Sequence, residues 1–272
     1  MCYRMDTDIR ESSGLRFQYF TQDCMAKNSI GLDKHWEPHI TNFVKKYNSL
    51  YEIQNIIDVG ANFGYHSLFF SKEVKGNVYS FEPQSQNFNL LMNNIKLNGI
   101  NNIVAHNLAC GDFNCEIQMP IIENSWYEVN MGDFTPNLVS TNEFSSTKSV
   151  RLDDFDFPKI DLMKIDVQGW EKKVLLGCSN LLKKYKPTLI VEFEEPHLEK
   201  TNTSSRELFE FIRGNNYHIF FLDYEYPSDH LCVHNDLLEN FRIKFKEYIF
   251  DHSDDNNINH NVQCGVTEKI KV

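Results

Sequence analysis

Residues 55–74, NIIDVGANFGYHSLFFSKEV, pass from a short apolar run through a glycine-containing turn into apolar residues spaced as on one helix face. A short apolar run bounded by a turn is typical of a buried strand, and the spacing of Tyr65, Leu68 and Phe69 favours a helix. The segment therefore predicts a strand, a tight turn and a helix in direct succession. Asp58 lies near the end of that strand.

The same order recurs along the rest of the chain, because apolar runs alternate with amphipathic segments. Further strands are predicted at 77–83, 102–109, 116–122, 160–167, 187–195, 217–224 and 229–235, and further helices at 36–47, 85–98, 169–185 and 205–216. This alternation, which residues 112–149 with the strand at 116–122 interrupt, predicts a doubly wound, mostly parallel sheet of seven strands with helices on both faces. Ligands of such a sheet bind beyond the carboxyl ends of its strands.

Length and local composition predict the domain organisation. With 272 residues, 41% of them hydrophobic, the chain is long enough to bury one large core. We predict one domain over residues 36–250, with a polar insertion at about 123–149. Residues 1–35 lack a clear period and are expected to form a cap or extension, and residues 251–272 a polar surface tail.

Charge and cysteine usage narrow the function classes. A formal net charge of -11 argues against nucleic acid as a partner, because a phosphate backbone needs a basic surface. The seven cysteines include no CxxC pair, which argues against a zinc site and a disulfide framework and favours a reducing compartment. We find neither an apolar run of membrane-spanning length nor a signal peptide, and expect a soluble cytoplasmic protein.

The glycine turn and two acids predict the class of cofactor. Gly60 and Gly64 form GxxxG rather than the GxGxxG that a dinucleotide site needs, and an acid so close to the turn repels a pyrophosphate. Asp58 instead suits a ligand with an ammonium and a sulfonium, which is the charge pattern of S-adenosylmethionine. Glu82 follows Gly60 by 22 residues, close to the spacing at which an acid meets ribose hydroxyls.

The order of four segments resembles the FkbM-type methyltransferase family over roughly residues 36–235. These segments are IIDVGANFGYHSLFFSK, VYSFEPQSQNFNLLMNNIKLNG, NLACGD and IDLMKIDVQGWEKKVLLG. The resemblance implies a class I methyltransferase (Rossmann-like) fold, S-adenosylmethionine as methyl donor, and transfer usually to a hydroxyl. It also implies cofactor contacts, with Asp58, Gly60, Asn62 and Gly64 on the methionine side, Glu82 on the ribose, and Asn107 and Asp112 on the adenine side.

The acceptor side needs a proton acceptor, because a hydroxyl is a weak nucleophile until its proton leaves. Asp166 ends a strand beside the expected cofactor mouth and is the favoured base, with Glu192 and His197 as further catalytic candidates. The chain carries Gln168 where the family commonly has Glu in IDVEG. Other residues considered for this side are Glu171, Glu194, Glu195, His66 and an aromatic wall of Trp126, Tyr127, Phe134 and Trp170.

The sequence leaves metal use and three competing functions open. Asp166, Glu192 and a nearby histidine are a possible Mg²⁺ site, but we assign no metal ligand and expect Lys164 to be a salt-bridge partner. An RNA methyltransferase acting on exocyclic amines would carry an Asn/Asp-Pro-Pro-aromatic segment where this chain has residues 166–169, DVQG. A non-catalytic module that binds S-adenosylmethionine and a nicotinamide-dependent oxidoreductase are the second and third competing functions. The leading prediction is an O-methyltransferase for a small-molecule or sugar hydroxyl.

Overall fold

A nine-stranded sheet forms the centre of the protein. The computed structural model describes residues 6–121, 143–222, 229–251 and 268–272. In chain order the strands are β1 Thr7–Ser12, β2 Leu15–Phe20, β3 Ile56–Val59, β4 Val78–Phe81, β5 Ile103–His106, β6 Ala109–Cys110, β7 Cys115–Pro120, β8 Phe144–Val150, β9 Leu162–Ile165, β10 Thr188–Glu192, β11 Tyr217–Leu222, β12 Asp229–His234, β13 Ile249–Asp251 and β14 Glu268–Ile270.

The strand order confirms the predicted fold class. The large sheet runs β13-β14-β11-β12-β10-β9-β3-β4-β5, and the pairs among β5, β4, β3, β9 and β10 are all parallel. β12 pairs antiparallel with both β10 and β11. Among the seven strands from β11 to β5 in this order, β12 is therefore the one that is antiparallel to the other six. The two strands beyond the predicted seven are β13 and β14, of three residues each, at one edge.

Helices cover both faces of this sheet. They are α1 Cys24–Asn28, α2 Pro38–Tyr51, α3 Tyr65–Glu73, α4 Ser85–Leu97, α5 Glu171–Gly177, α6 Ser179–Tyr185, α7 Glu195–Lys200, α8 Ser205–Gly214 and α9 Asn235–Lys244. Successive side chains of a strand point to opposite faces, so Ile56 packs with α2 and α9 while Ile57 packs with α5, α6 and α8. No helix in the described ranges has the length and apolarity needed to cross a membrane.

The segment at 169–185, predicted as one helix, is divided into α5 and α6 at Cys178. A Cβ on Gly177 would lie 1.8 Å from the carbonyl oxygen of Gly111, so the backbone passes very close to the loop after β6. Glycine is the residue that permits this approach. The division therefore follows from tertiary packing rather than from the helical pattern of the sequence.

The predicted N-terminal extension packs against the domain as a hairpin. β1 and β2 pair antiparallel around a two-residue turn, Ser13 and Gly14, both with positive φ, as hairpin turns of this length require. The backbone N–H of Gln18 donates to Asn94 Oδ1 of α4 at 2.6 Å. Phe17 is fully buried in an apolar cluster shared with α3 and α4, so the extension adds to the core.

Strands also occupy the ends of the predicted insertion and tail. Phe144–Val150 is β8, which pairs with β6 and β7 in a separate three-stranded sheet. Its inward residues include the polar Thr147 and Ser149, so no apolar alternation reveals it. In the tail, Ile270 of β14 is buried against the core cluster that contains α2 and α9.

Candidate active site

A cavity of about 770 Å³ opens at the carboxyl ends of β3, β4, β9 and β10. This is the edge at which a doubly wound sheet binds its ligands. Seven of the predicted site residues line it, namely Asp58, Gly60, Asn62, Glu82, Asp166, Glu192 and His197. The fold therefore brings together acids that are up to 134 positions apart in the chain, from Asp58 to Glu192.

The turn after β3 passes directly over the end of β9. Gly60 has φ +84°, and a Cβ there would lie 1.8 Å from the carbonyl oxygen of Asp166. Asn62 is also left-handed, with φ 52°, and its side-chain oxygen accepts the N–H of Phe63 at 2.8 Å. Only a residue without a side chain fits at Gly60, so the turn forms a backbone cradle at the floor of the cavity.

Glu82 holds this turn in place from the end of β4. Its two carboxylate oxygens accept the backbone N–H groups of Asn62 and Gln84, each at 2.8 Å. Burial raises the pKa of Glu82 to about 7, against the opposing effect of those two N–H donors. Glu82 is therefore a cavity-lining acid whose position is determined by both neighbouring loops.

Asp58 presents an unsatisfied carboxylate oxygen. The residue is fully buried, and Ser67 Oγ, itself 2.8 Å from Ser80 Oγ, donates to Asp58 Oδ2 at 2.5 Å. Asp58 Oδ1 has no hydrogen-bond partner among the described residues. A buried carboxylate oxygen without a partner is costly, and a cationic group would remove that cost. Together with the cradle at Gly60, this suits the ammonium and sulfonium of S-adenosylmethionine.

Asp166 forms a buried ion pair with Lys164. Lys164 is 2% exposed, and its Nζ donates to Asp166 Oδ2 at 2.8 Å. Burial would raise the pKa of Asp166, but the charge and hydrogen bond of Lys164 outweigh it and lower that pKa to about 2. Burial alone would lower the pKa of Lys164, but the carboxylates of Asp166, Asp58 and Glu37 raise it above its ordinary value. Asp166 is therefore a stable anion.

Glu192 has the opposite character, although its carboxyl group lies within hydrogen-bonding reach of Asp166 and shares the amide of Gln168 with it. Gln168 Nε2 donates to Asp166 Oδ1 and to Glu192 Oε2, both at 3.1 Å. Burial, and then the charges of Asp166 and Asp229, raise the pKa of Glu192 well above its ordinary value. Two carboxyl groups with divergent pKa values in one cavity are the pattern by which acid and base roles are separated.

Two histidine–carboxylate pairs border this cluster, and the sequence does not predict them as pairs. His66 Nε2 lies 2.7 Å from Glu37 Oε2, and His39 Nε2 lies 2.6 Å from Asp229 Oδ2. Asp229 is the direct partner of Glu192 in the antiparallel pair of β10 and β12. No sequence motif marks Glu37, His39 or Asp229, because their proximity depends on the packing of α2 across the sheet edge.

Three residues that the resemblance places at the cofactor do not line the cavity. A Cβ on Gly64 would lie 2.4 Å from Leu91 Cδ1, so this glycine serves the packing of α3 on α4. Asn107 Nδ2 donates to the carbonyl oxygens of Glu82 and Pro83, and thereby braces the loop after β4. Asp112 does not line the cavity. The nearby residues that do line it are Leu108, Ala109, Cys110, Ile117 and Met119.

Glu171 supports the loop after β9 from below. It is 1% exposed, and its Oε1 accepts the backbone N–H groups of Val167 and Gly169 at 3.1 and 3.0 Å. Burial raises its pKa to about 7. Glu171 is not among the residues that line the cavity, so its role is to hold the loop that carries Gln168.

The loop after β10 contributes one histidine–carboxylate pair and one contact with a helix. His197 Nδ1 lies 2.7 Å from Glu194 Oε2, and both residues line the cavity. Glu195 instead accepts the N–H of Ser205 at the start of α8, at 2.8 Å. Glu192 and Glu194 thus line the cavity and Glu195 does not, but β10 ends at Glu192, so the helix that follows and not strand alternation sets the directions of Glu194 and Glu195.

Aromatic residues form part of the cavity wall. Trp170 and Trp36 both line it, and Lys173 Nζ lies 3.7 Å from the Trp170 ring centroid. The Trp36 ring packs near Tyr65, with 6.2 Å between centroids. The predicted wall residues Trp126, Tyr127 and Phe134 lie outside the described residues.

Comparison with curated proteins finds partial relatives. A hexuronic acid methyltransferase, AglP of Haloferax volcanii, is 33% identical over 129 residues, which cover 46% of this chain and 50% of that protein. Methyltransferase 1 of Beauveria bassiana is 24% identical over 145 residues, which cover 46% of this chain and 58% of that protein. The chain thus spans about half the length of the curated relatives it matches.

Family and structural comparisons concern a larger part of the chain. The crystal structure of an FkbM methyltransferase from Methylobacillus flagellatus aligns at 17% identity and a TM-score of 0.47, covering 72% of this chain and 50% of that chain. The family model described as the methyltransferase FkbM domain matches residues 58–219, which is more than half of the chain and includes Asp58, Glu82, Asp166 and Glu192. The chain therefore belongs to the FkbM methyltransferase family.

Proposed function

We propose that the protein is an S-adenosylmethionine-dependent O-methyltransferase that acts on a hydroxyl of a small-molecule or saccharide acceptor. One observation carries the proposal: a single cavity joins Asp58, whose Oδ1 has no hydrogen-bond partner among the described residues, to the pair of Asp166 and Glu192. We call Asp58–Asn62 and Glu82 the donor end. The acceptor end comprises Glu37, His39, Asp166, Gln168, Glu192 and Asp229.

At the donor end, the protein positions the cofactor. We assign Asp58, whose Oδ1 has no hydrogen-bond partner among the described residues, to the ammonium group, and Glu82, beside the turn it braces, to the ribose hydroxyls. Bound S-adenosylmethionine supplies a methyl carbon activated by a sulfonium. Because displacement at that carbon is in line, alignment of donor and acceptor supplies much of the rate. The apolar lining from Leu108 to Cys110 suits a flat heteroaromatic ring.

At the acceptor end, the structure favours Glu192 over Asp166 as the proton acceptor. A base works best when its pKa lies near the working pH, and Asp166, with a pKa of about 2, is too weak a base. The raised pKa of Glu192 makes its ionised form the stronger base. In this proposal the acceptor oxygen would bond to the methyl carbon as the carbon–sulfur bond breaks and S-adenosylhomocysteine leaves, and the proton of the hydroxyl would pass to Glu192. Asp166 remains an anion beside it.

The saccharide acceptor is supported by the relative that acts on hexuronic acid. Trp36 and Trp170 in the wall are consistent with it, since flat aromatic faces pack against sugar rings. Asp166, Val167, Gln168 and Gly169 provide no proline-containing amine site, which weighs against the RNA alternative. We also propose a cytoplasmic location, in keeping with the free thiols of Cys110, Cys115, Cys178 and Cys232.

The first experiment is calorimetric titration with S-adenosylhomocysteine, with NAD in parallel, followed by transfer of labelled methyl from S-adenosylmethionine to a panel of methyl glycosides. Binding of S-adenosylhomocysteine alone, with label entering a glycoside, is the expected result. Binding of NAD alone would overturn the donor assignment. Binding of S-adenosylhomocysteine without transfer to any hydroxylated acceptor would support the scaffold alternative.

A further inference from the structure

Gln168 joins the two carboxyl groups of the acceptor end. Its amide nitrogen donates one hydrogen to Asp166 and the other to Glu192, both at 3.1 Å. The backbone at Gln168 is left-handed, with φ 55°, and the next residue, Gly169, also has positive φ. A Cβ on Gly169 would lie 2.3 Å from the carbonyl oxygen of His197, so the loop that carries Gln168 is packed tightly against α7.

We propose that Gln168 is a positioning residue for methyl transfer, whose amide holds Asp166 and Glu192 side by side and allows Glu192 to release and take up its proton. The inference rests on the proposed function, because it assigns Glu192 to the proton of the acceptor hydroxyl. Gln168 does not contact the methyl group; it acts through the two acids.

An amide and a carboxylate have opposite effects at this position. The amide supplies two N–H donors, and hydrogen bonds to an ionised carboxylate favour the ionised form. A carboxylate in the same place would set a third negative charge within hydrogen-bonding distance of two others and disfavour ionisation. Lys164 does not compensate for this at Glu192, because its ammonium is bound to the far oxygen of Asp166.

The surroundings of Glu192 are mostly acidic, so the N–H donor of Gln168 matters to its ionised form. Four acids carry charge that raises the pKa of Glu192, namely Asp166 after β9, Glu171 of α5, Asp229 of β12 and Glu194 before α7. The cations and histidines nearby lie against other carboxylates: Lys164 against Asp166, His39 against Asp229, His197 against Glu194, and His66 against Glu37. Against these negative charges, the N–H of Gln168 is a neutral donor aimed directly at Glu192 Oε2.

The test compares Gln168→Glu, Gln168→Met and a matched surface control, Gln118→Glu. Gln118 is exposed on β7, so the control adds the same charge away from the pair. Each protein is labelled with ¹³C at the Glu side-chain carboxyl, saturated with S-adenosylhomocysteine and titrated by NMR. The Glu192 resonance is assigned by its loss in Glu192→Gln.

The titration midpoint of Glu192 is expected to rise by about one pH unit or more in Gln168→Glu and by less in Gln168→Met. The control is expected to leave it unchanged. An unchanged midpoint in Gln168→Met would overturn the proposal, even if Gln168→Glu failed to fold. Affinity for S-adenosylhomocysteine should stay the same in all variants, since Gln168 is at the acceptor end.

A kinetic measurement tests whether the arrangement of Asp166 and Glu192 by Gln168 matters for turnover. With the best glycoside acceptor, Gln168→Met should lower kcat and move the pH–rate profile to higher pH, while the KM for S-adenosylmethionine stays the same. A changed KM with an unmoved profile would reduce Gln168 to a structural role and overturn the proposal. If the titration midpoint of Glu192 moves but no acceptor is methylated, the proposed function fails. The inference that Gln168 governs the ionisation of Glu192 then still stands.

Discussion

The donor end of the cavity is made from residues that are close in sequence, whereas the acceptor end is assembled from four separate segments. Asp58 to Glu82 form one strand–helix–strand unit, in which each residue is positioned by its immediate neighbours. The acceptor end takes Asp166 and Gln168 from the loop after β9 and the rest from α2, its preceding residue, β10 and β12. Residues that depend on distant packing are free to change the acceptor while the donor is retained.

Replacement of Glu192 should have the largest effect on turnover, and it tests whether the donor end and the acceptor end act separately. Glu192→Gln is expected to lower kcat by about 10²- to 10⁴-fold, because the proton acceptor is lost while the hydrogen bond from Gln168 is kept. Asp166→Asn is a poorer probe, since it leaves the buried charge of Lys164 without its partner. Affinity for S-adenosylhomocysteine, measured by calorimetry, should not change. A parallel loss of donor binding would contradict the separation of the two ends.

The pH dependence of kcat/KM tests whether Glu192 acts as a base or as an acid. Only ionised Glu192 accepts a proton, and its pKa is raised, so kcat/KM should increase with pH through that pKa and then level off. Asp166, with a pKa of about 2, stays ionised between roughly pH 5 and 9 and adds no further step. The rising limb should be absent in Glu192→Gln. A rate that falls with pH would show that protonated Glu192 acts as an acid.

The same contrast explains how far the sequence predicts the site. Asp58, Gly60 and Glu82 are predictable because strand, turn and spacing are local patterns that survive in any context. The family resemblance assigns Asn107 and Asp112 to the cofactor, but β6 pairs with β8 outside the large sheet, and Leu108 to Cys110 line the cavity instead. Glu37, His39 and Asp229 carry no local pattern. They become neighbours only when the sheet forms.

β14 and β8 are not predicted from the sequence for a related reason. β14 has three residues, which is too short for an alternation to be recognised, and it pairs with β11, nearly fifty positions earlier in the chain. The inward residues of β8 include Thr147 and Ser149, so its pattern resembles a polar insertion. In both cases the burial is produced by tertiary pairing rather than by the hydrophobicity of the segment.

A glycine substitution tests the rigid construction of the donor end. Gly60→Ala should destabilise the protein by about 2 to 5 kcal/mol, because the new Cβ meets the carbonyl oxygen of Asp166 at positive φ. Gly14→Ala is the matched control: its φ is also positive, but nothing lies within 4 Å, so about 1 to 2 kcal/mol is expected. Urea unfolding measures both values. Equal losses would mean that the turn does not need its contact with β9.

Removal of the charge on Asp58 should affect the donor end alone. Asp58→Asn is expected to weaken S-adenosylhomocysteine binding by about tenfold to a hundredfold, the value of a hydrogen bond to a charged group. Ser67 still has an oxygen to donate to, so the fold should be kept. Calorimetry measures the affinity, and thermal unfolding without ligand serves as the control. Full affinity in a folded variant would exclude Asp58 as the ammonium partner.

The smallest expected effect is that of a chelator. Within the described residues no group of three His, Cys, Asp or Glu side chains is arranged to hold a metal ion. Lys164 already neutralises Asp166 at 2.8 Å, and a divalent cation at the same carboxylate would be repelled by that ammonium. Methyl transfer should therefore be unchanged by EDTA. If EDTA abolished turnover and Mg²⁺ restored it, the Lys164–Asp166 ion pair would have to open during the reaction. Gln168 would then lie beside a bound metal ion instead of bridging two carboxyl groups.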